Sequence, residues 1–237
     1  MKKMFYLKIL FISVFLLLTN NLISVPCYVY VKPAAYEWDC PDGNSSVKYT
    51  CKTIEWDEEI NGVIIHNSKI VLIYYCCNWD ETLKTLNTTI MAISYLPGYS
   101  NTKPTIQLLL DNVSAQLLED TKIHCFSSYP PCDDPNIPKK YEHKITFPTC
   151  WYYKNHQPFI GDDFVLSLIK CAGSSCNTTY EVCTDYSQIP YKIVYSLVSK
   201  QVEGNPCSAG EPVLPPDGSP LWFQLWSTEC FLFNHCN

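Results

Sequence analysis

The fourteen cysteines are the residues of this chain with the clearest chemistry. Thiols held close together either oxidise to disulfides or, as thiolates, bind a metal ion. No two of them have the C-x-x-C spacing of a zinc ribbon or a thioredoxin-type redox pair. Their even number predicts up to seven structural disulfides and no metal site. The cysteines are Cys27, Cys40, Cys51, Cys76, Cys77, Cys125, Cys132, Cys150, Cys171, Cys176, Cys183, Cys207, Cys230 and Cys236. A zinc site at Cys230, His235 and Cys236 is the alternative.

Cys76 and Cys77 are neighbours in the chain, which restricts what each can bond to. They follow the β-branched and aromatic run 69–75, which predicts a strand. Successive side chains of a strand point to opposite faces, whereas a ring between the two neighbours would be strained. We therefore predict that the pair bonds to two different partners, one on each side of a central strand.

Trp222, Gln224 and Trp226 form the candidate ligand site. If residues 221–226 are a strand, these three side chains share one face, and Leu221, Phe223 and Leu225 form a core face on the other side. Two indole rings flanking an amide would suit stacking on a sugar. Burial of both faces is the favoured interpretation, because tryptophan is highly buried on average. Adhesion to a glycan or cell surface remains the hypothesis for this W-x-Q-x-W face.

Residues for catalysis are few. None of the five histidines lies in a motif such as H-E-x-x-H, so a hydrolase would need dispersed catalytic residues, with His66 or His156 and a nearby carboxylate as the candidates. Glu55, Asp57 and Glu59 share one face of a strand and could bind a cation or a sugar, but a solvated strand face is the favoured explanation. We predict no catalytic residue and no cofactor.

Four N-x-S/T sequons are possible glycosylation sites: Asn44, Asn87, Asn112 and Asn177. Any glycosylated asparagine has to be exposed. Because the chain is rich in Asn, Ser and Thr, some sequons are expected from composition alone.

The N-terminus predicts export. Lys2, Lys3 and Lys8 accompany an apolar run at 9–18, which is the pattern of a signal peptide over residues 1–24. We expect a secreted or extracellular protein, or a periplasmic or cell-surface protein in a bacterium, with no membrane span once the signal is removed. The chain has a net charge of −6 and no arginine, so nucleic acid is a poor partner. An unknown extracellular protein or a glycan is the predicted partner.

The elements that would carry these residues are mainly β. The sequence predicts disulfide-rich antiparallel sheets built from hairpins and a meander, with one amphipathic helix near 104–119. Asn61-Gly62 between apolar runs predicts a hairpin turn. Strands are predicted at 27–32, 51–56, 63–66, 69–75, 141–147, 149–154, 164–171, 178–184, 191–201 and 221–226. The helix rests on Ile106, Leu109, Leu110, Val113 and Leu117.

A three-strand meander is predicted at 164–171, 176–183 and 191–198. In the last of these, Tyr191, Ile193, Tyr195 and Leu197 share a face that we expect to be packed.

The proline-rich segment 128–139 predicts a linker between an N-terminal disulfide domain at 25–127 and a C-terminal one at 140–237. An even number of cysteines lies on each side of residue 128, so each half could close its own bridges. One domain remains the alternative.

Together these features favour an exported, cysteine-rich, non-enzymatic protein that serves as a binding, adhesion or structural module. A secreted hydrolase without a local motif and a protease or toxin inhibitor are the alternatives.

Overall fold

The computed structural model describes residues 40–43, 46–96, 102–126, 128–133, 141–157 and 163–236, with the side chains of 121–124 left aside. The predicted signal segment, the predicted strand at 27–32, Cys27 and Asn44 lie outside this part. The strands are β1 Lys48–Ile60, β2 Val63–Asp80, β3 Thr85–Leu96, β4 Tyr141–Pro148, β5 Cys150–His156, β6 Val165–Lys170, β7 Ser175–Asp185, β8 Lys192–Glu203, β9 Trp226–Ser227 and β10 Phe231–Leu232. Helix α1 spans Ile106–His124, and a 3₁₀ helix spans Pro220–Phe223.

All ten strands form one sheet that forks at β3. One edge of β3 pairs with β2, which in turn pairs with β1. Along its other edge, Thr85–Thr89 pair with β4 and Ala92–Tyr95 pair with β6. One arm then continues as β4–β7–β8, and the other as β6–β5 with the short β9 and β10. The mainly β prediction is confirmed, but the sheet is mixed because β3 and β4 run parallel.

Strand β3 is the main element that the sequence does not predict. It contains a nearly continuous apolar stretch and is buried along almost its whole length. A strand that is paired on both edges and buried on both faces can be apolar at successive positions. Its sequence therefore lacks the alternation of apolar and polar residues that identifies a half-buried strand.

Helix α1 confirms the helix prediction and extends it to His124. The predicted apolar positions are all buried, as the 3.6-residue period requires. The helix contacts the sheet through Tyr75 of β2, whose hydroxyl donates to Asp120 Oδ2 at 2.6 Å. Gln116 Nε2 of the helix also lies 3.4 Å from Thr50 Oγ1 of β1, so α1 packs against the β1–β2 hairpin.

Six disulfides join described cysteines: Cys40–Cys76, Cys77–Cys125, Cys132–Cys183, Cys150–Cys207, Cys171–Cys230 and Cys176–Cys236. Cys51 is also disulfide-bonded. No described cysteine is free, so the disulfide prediction is confirmed for this part of the chain. The two neighbours bond to different partners as predicted. Cys230 and Cys236 are bridged, so the zinc alternative loses both of its thiolates.

The meander prediction is half right. β7 and β8 form a hairpin, but β6 pairs with β5 and β3 instead of β7. The fork explains the difference, because β6 belongs to one arm and β7 to the other. The place beside β7 is taken by β4.

The expected packed face of β8 is wrong. Tyr195 is 44% exposed and Leu197 55% exposed, and Tyr191 is exposed as well. Only Ile193 of the four packs partly against the core. β8 is the last strand of its arm. Its apolar alternation indicates a face that could be buried, but no element of the described chain covers that face.

The predicted turn at Asn61-Gly62 is confirmed. Both residues have positive φ, 53° and 78°, as a type I′ turn requires. The β1–β2 hairpin that it closes ends in an exposed apolar tip formed by Ile60, Val63, Ile64 and Ile65.

Each described disulfide joins two cysteines on the same side of residue 128. Strands from the two sides nevertheless pair with each other in the sheet. β3 belongs to the first half and pairs with β4 and β6 of the second. The division into 25–127 and 140–237 stays a prediction, and any motion between the halves would have to break these ladders. Among the described residues, no helix has the length and apolarity needed to cross a bilayer.

Candidate functional site

A cleft of about 540 Å³ lies where three separate segments of the chain meet. Its walls come from the outer part of β1, from the start of α1 with the residues that precede it, and from the segment 211–214. The lining residues are Trp56, Asp57, Glu58, Thr102, Lys103, Thr105, Leu108, Glu211, Pro212, Val213 and Leu214. A cleft of this size with both apolar and charged walls is typical of a ligand site.

One wall of the cleft is fixed by a network around Glu211. Lys103 Nζ lies 2.8 Å from Glu211 Oε1, and the Tyr153 hydroxyl donates to the same oxygen at 2.7 Å. The Lys103 ammonium also lies 5.3 Å from the centre of the Tyr153 ring, within cation–π range. Glu211 is therefore already neutralised and oriented by its own neighbours.

Two tyrosines beside Glu211 stay protonated. Burial raises the pKa of Tyr153 far above its ordinary value, and the nearby Tyr95 and Glu211 raise it further. Burial, and then the Glu211 carboxylate, also raises the pKa of Tyr95. The Tyr95 hydroxyl has no hydrogen-bond partner in the described part of the chain. Both phenols therefore keep their protons at any ordinary pH and cannot act as bases, and Tyr153 is the one that donates to Glu211.

The opposite wall is the acidic end of the β1–β2 hairpin. Asp57 pairs across the ladder with His66, and His66 Nδ1 lies 2.6 Å from Asp57 Oδ1. Glu58 accepts a long hydrogen bond of 3.5 Å from Asn67 Nδ2. Trp56, between the ladder and the cleft, is half-buried and packs against the core. This wall presents an aromatic ring beside two exposed carboxylates.

The charge of the cleft is unbalanced. Its lining contains three carboxylates and one ammonium group, and that ammonium is bound to Glu211. Asp57 and Glu58 therefore face the cleft as net negative charge. Such a site attracts cations and repels anions.

The histidines predicted as enzyme candidates lie in different surroundings. His66 and Asp57 have side chains that are 81% and 65% exposed. His156 is buried, and its Nε2 lies 2.9 Å from Ser167 Oγ, which in turn contacts Ser94 Oγ at 2.7 Å. Burial lowers the pKa of His156 to about 4, so the ring is neutral and forms part of a buried hydrogen-bond chain.

The predicted W-x-Q-x-W face is not formed. Residues 220–223 are a 3₁₀ helix that begins after Ser219 and contains Pro220, so the chain turns where a strand would have to be straight. Trp222 is 1% exposed and donates from Nε1 to Pro216 O at 3.0 Å. Trp226 contacts the Trp222 ring edge-on, with 5.7 Å between ring centroids. A buried Trp222 cannot stack on a sugar.

The residues expected in the core of that segment are the exposed ones: Leu221, Phe223 and Leu225. The strand prediction there is therefore wrong, and the burial that the sequence favours for Trp222 is what the structure has.

The described sequons differ in accessibility. Asn177 is buried in β7, and its side-chain oxygen accepts from Thr146 Oγ1 at 2.7 Å. Asn112 is half-buried and donates to Leu108 O within α1 at 2.9 Å. Asn87 is half-buried in β3. A glycan on Asn177 would not fit this packing, so glycosylation stays a prediction for the other positions.

The sequence identifies Asp57 as a candidate but does not reveal the cleft. The acidic stripe of Glu55, Asp57 and Glu59 is a possible cation or sugar site by sequence, and the structure brings Asp57 and Glu58 to the cleft instead. The other two walls, at 102–108 and 211–214, carry no local motif. Only long-range pairing of the chain brings them to β1.

Among the described residues, no group of three or more His, Cys, Asp or Glu gathers as metal ligands would. Comparison with protein-family models, with curated proteins and with solved structures gave no match. Function therefore has to be inferred from the geometry of the site itself.

Proposed function

We propose that this protein is an extracellular, non-enzymatic binding protein that takes a basic side chain of a partner protein into the cleft beside Trp56. The observation that carries the proposal is a 540 Å³ cleft in which the carboxylates outside the Lys103–Glu211 ion pair are those of Asp57 and Glu58. The density of disulfides fits an extracellular, cysteine-rich protein. A disulfide-bonded scaffold would hold the cleft rigid, which lowers the entropic cost of binding.

The residue types of the cleft suit an ammonium or guanidinium group. The face of an indole ring attracts a cation, with about 0.5–2 kcal/mol depending on how far the cation is desolvated. Carboxylates at the rim add charge-assisted hydrogen bonds. Lys103 does not compete for these carboxylates, because its ammonium is bound to Glu211 on the other wall.

The test is calorimetric titration with an amidated tri-lysine peptide, using the same peptide with acetylated lysines as the uncharged control. We expect the charged peptide to bind, with an affinity that falls as salt is added. The double variant D57N/E58Q should weaken binding roughly two- to thirtyfold, since each exposed charge pair contributes about 0.2–1 kcal/mol.

Glu55→Gln is the matched control. Glu55 lies on the same strand and is exposed, but it does not line the cleft. E55Q should bind as the unmodified protein does. Equal binding of the acetylated peptide, or equal weakening by E55Q, would contradict the proposal. If the protein instead bound a neutral oligosaccharide, and Trp56→Leu abolished that binding, the ligand of the cleft would be a glycan and not a cation.

A second candidate, a secreted hydrolase, has one observation in its favour. His66 and Asp57 are within hydrogen-bond distance, and Asp57 lines the cleft. A histidine oriented by a carboxylate is the usual general base of a hydrolase. Turnover of a nitrophenyl ester or a labelled protein that is lost in both H66A and D57N, but kept in E55Q, would establish the enzyme.

A further inference from the structure

Strand β8 ends its arm of the sheet and has an open edge. It pairs along its length with β7, and no other described strand pairs with it. Twelve residues, Lys192–Glu203, therefore present a row of backbone donors and acceptors on the side away from β7. A long open edge is a template for pairing with a strand from another chain.

The side chains of β8 do not protect this edge. Five large apolar residues of the strand are between 44% and 55% exposed: Val194, Tyr195, Leu197, Val198 and Val202. Proteins usually guard an edge strand with a proline, with charges near its middle or with a bulge. The stretch from Ile193 to Ser199 has no proline and no charge, and its one interruption is a bulge at Val198. The charged residues of the strand are Lys192, Lys200 and Glu203.

A bulge in β8 determines which side chains share a face. The register with β7 shifts between Thr179 and Tyr180, so that Val198 is the extra residue. Side chains directly opposite each other in an antiparallel pair lie on the same face. Ile193, Tyr195, Leu197, Lys200 and Val202 therefore lie on the face of β8 that corresponds to Cys176, Thr178, Tyr180, Val182 and Thr184 of β7. Lys192, Val194, Ser196, Ser199, Gln201 and Glu203 lie on the other.

We propose that β8 pairs antiparallel with β8 of a second copy of this chain, about a two-fold axis between Leu197 and Val198. In this register Lys192 lies opposite Glu203 of the second copy at both ends of the ladder. The pairs between them are Ile193 with Val202, Val194 with Gln201, Tyr195 with Lys200, and Ser196 with Ser199, and the Leu197–Val198 bulges of the two copies face each other at the centre. The occupant is a second copy because the strand complements itself in charge at both ends of the ladder, where Lys192 meets Glu203.

The bulge is what makes this register possible. A two-fold axis perpendicular to the sheet keeps each face on the same side, so opposed residues must come from the same face. In a regular strand, residues such as 192 and 203, separated by an odd number of positions, lie on opposite faces. The extra residue at Val198 corrects this, and every pair outside the bulge then joins residues of one face. The dimer would join two sheets into one.

The experiment is sedimentation equilibrium of the full-length mature protein over a range of concentrations. We expect a monomer–dimer equilibrium. Leu197→Lys places two ammonium groups at the centre of the interface and should raise the dimer Kd at least a hundredfold. Leu83→Lys is the matched control, because Leu83 is exposed in the turn between β2 and β3 and should leave the Kd unchanged. Circular dichroism verifies that both variants are folded.

A charge swap tests the register. Lys192→Glu alone places two carboxylates opposite each other at each end of the ladder, and Glu203→Lys alone places two ammonium groups there. Each single variant should therefore raise the Kd about tenfold. The double variant K192E/E203K re-creates two opposite-charge pairs and should restore the original Kd.

Three results would overturn the proposal. The first is a protein that is monomeric at all concentrations. The second is a dimer whose Kd does not respond to L197K. The third is a pair of single charge variants whose effects add in the double variant, because the proposed register requires them to cancel.

Discussion

Strand β2 lies in the middle of the sheet and β8 at the end of one arm, yet both are rich in β-branched and aromatic residues. Residues 71–77 of β2 are all buried, whereas most of β8 is exposed. β2 has β1 and β3 on its two edges. One of its faces is bonded to the chain after α1 through Cys77, and the other is bonded to Cys40 through Cys76. β8 has β7 on one edge.

The difference teaches that topology and not composition decides which apolar strand becomes core. An apolar run indicates that a strand gains free energy when it is covered, by about 25 cal/mol per Å² of apolar surface. It does not indicate what covers the strand. In β2 the cover comes from the same chain, and in β8 we propose that it comes from a second copy.

Among the variants that compare β2 with β8, removal of one disulfide of β2 should have the largest effect on the free energy of unfolding. In the double variant C77A/C125A the helix is no longer bonded to the strand, and the free energy of unfolding should fall by roughly 2–5 kcal/mol. The measurement is denaturant unfolding followed by circular dichroism.

The double variant C132A/C183A is the matched comparison for that disulfide. Its cysteines are separated by 51 residues against 48 for Cys77 and Cys125, so loop-closure entropy is nearly equal in the two cases. Cys132 is exposed and Cys77 is buried. We expect the smaller loss from C132A/C183A. Equal losses would show that packing around the β2 disulfide adds nothing beyond the cross-link.

Two truncations to alanine compare the strands directly. Ile73→Ala in β2 leaves a cavity in a fully buried position and should cost about 2–5 kcal/mol of unfolding free energy. Leu197→Ala in β8 should change it by less than about 0.5 kcal/mol in dilute, monomeric protein. Urea midpoints of the two variants decide the point. A large loss in L197A would mean that β8 is packed within the monomer.

Acid should weaken the buried centre of the sheet while leaving the exposed edge unaffected. Burial lowers the pKa of His143 to about 3 and that of His156 to about 4. Because an unfolded histidine titrates near ~6.5, protons bind the unfolded chain first as the pH falls. The free energy of unfolding is therefore highest above pH ~6.5 and falls as the pH is lowered towards 4, by roughly 1.4 kcal/mol per pH unit for each ring.

The slope of unfolding free energy against pH between 6 and 4 is the measurement. Burial also lowers the pKa of His235, so His143→Gln removes one of three such rings and should lower that slope by about one third to one half over this interval. An unchanged slope in H143Q would assign the acid sensitivity to other groups.

The sequence predicts those parts of the fold that depend on local chemistry. The Asn61-Gly62 turn, the apolar period of α1 and the opposed partners of Cys76 and Cys77 each follow from a few adjacent residues. β3 is not predicted because a strand that is covered on both faces has no alternation of apolar and polar residues. The order of the two arms is not predicted either, because no residue between Lys170 and Ser175 indicates that the chain passes from one arm to the other.

The cleft cannot be predicted because its walls meet only after folding. Trp56 and Glu211 are far apart in the chain, and each has an ordinary explanation on its own. The 3₁₀ helix at 220–223 shows the converse, since an alternating pattern of Leu, Phe and Trp predicts a strand that Ser219 and Pro220 prevent.

Because of the fork at β3, the sheet can be completed only in the order in which its strands are synthesised. When residue 96 has been made, β3 can pair with β2, but its other edge waits for partners that come much later in the chain. Thr85 needs Glu142, and Tyr95 needs Leu166. One edge of this largely buried strand thus stays unpaired until about seventy more residues have emerged, and in that time the strand is exposed to aggregation. The time for which β3 stays incompletely paired is therefore set by how soon β4 and β6 become available to it.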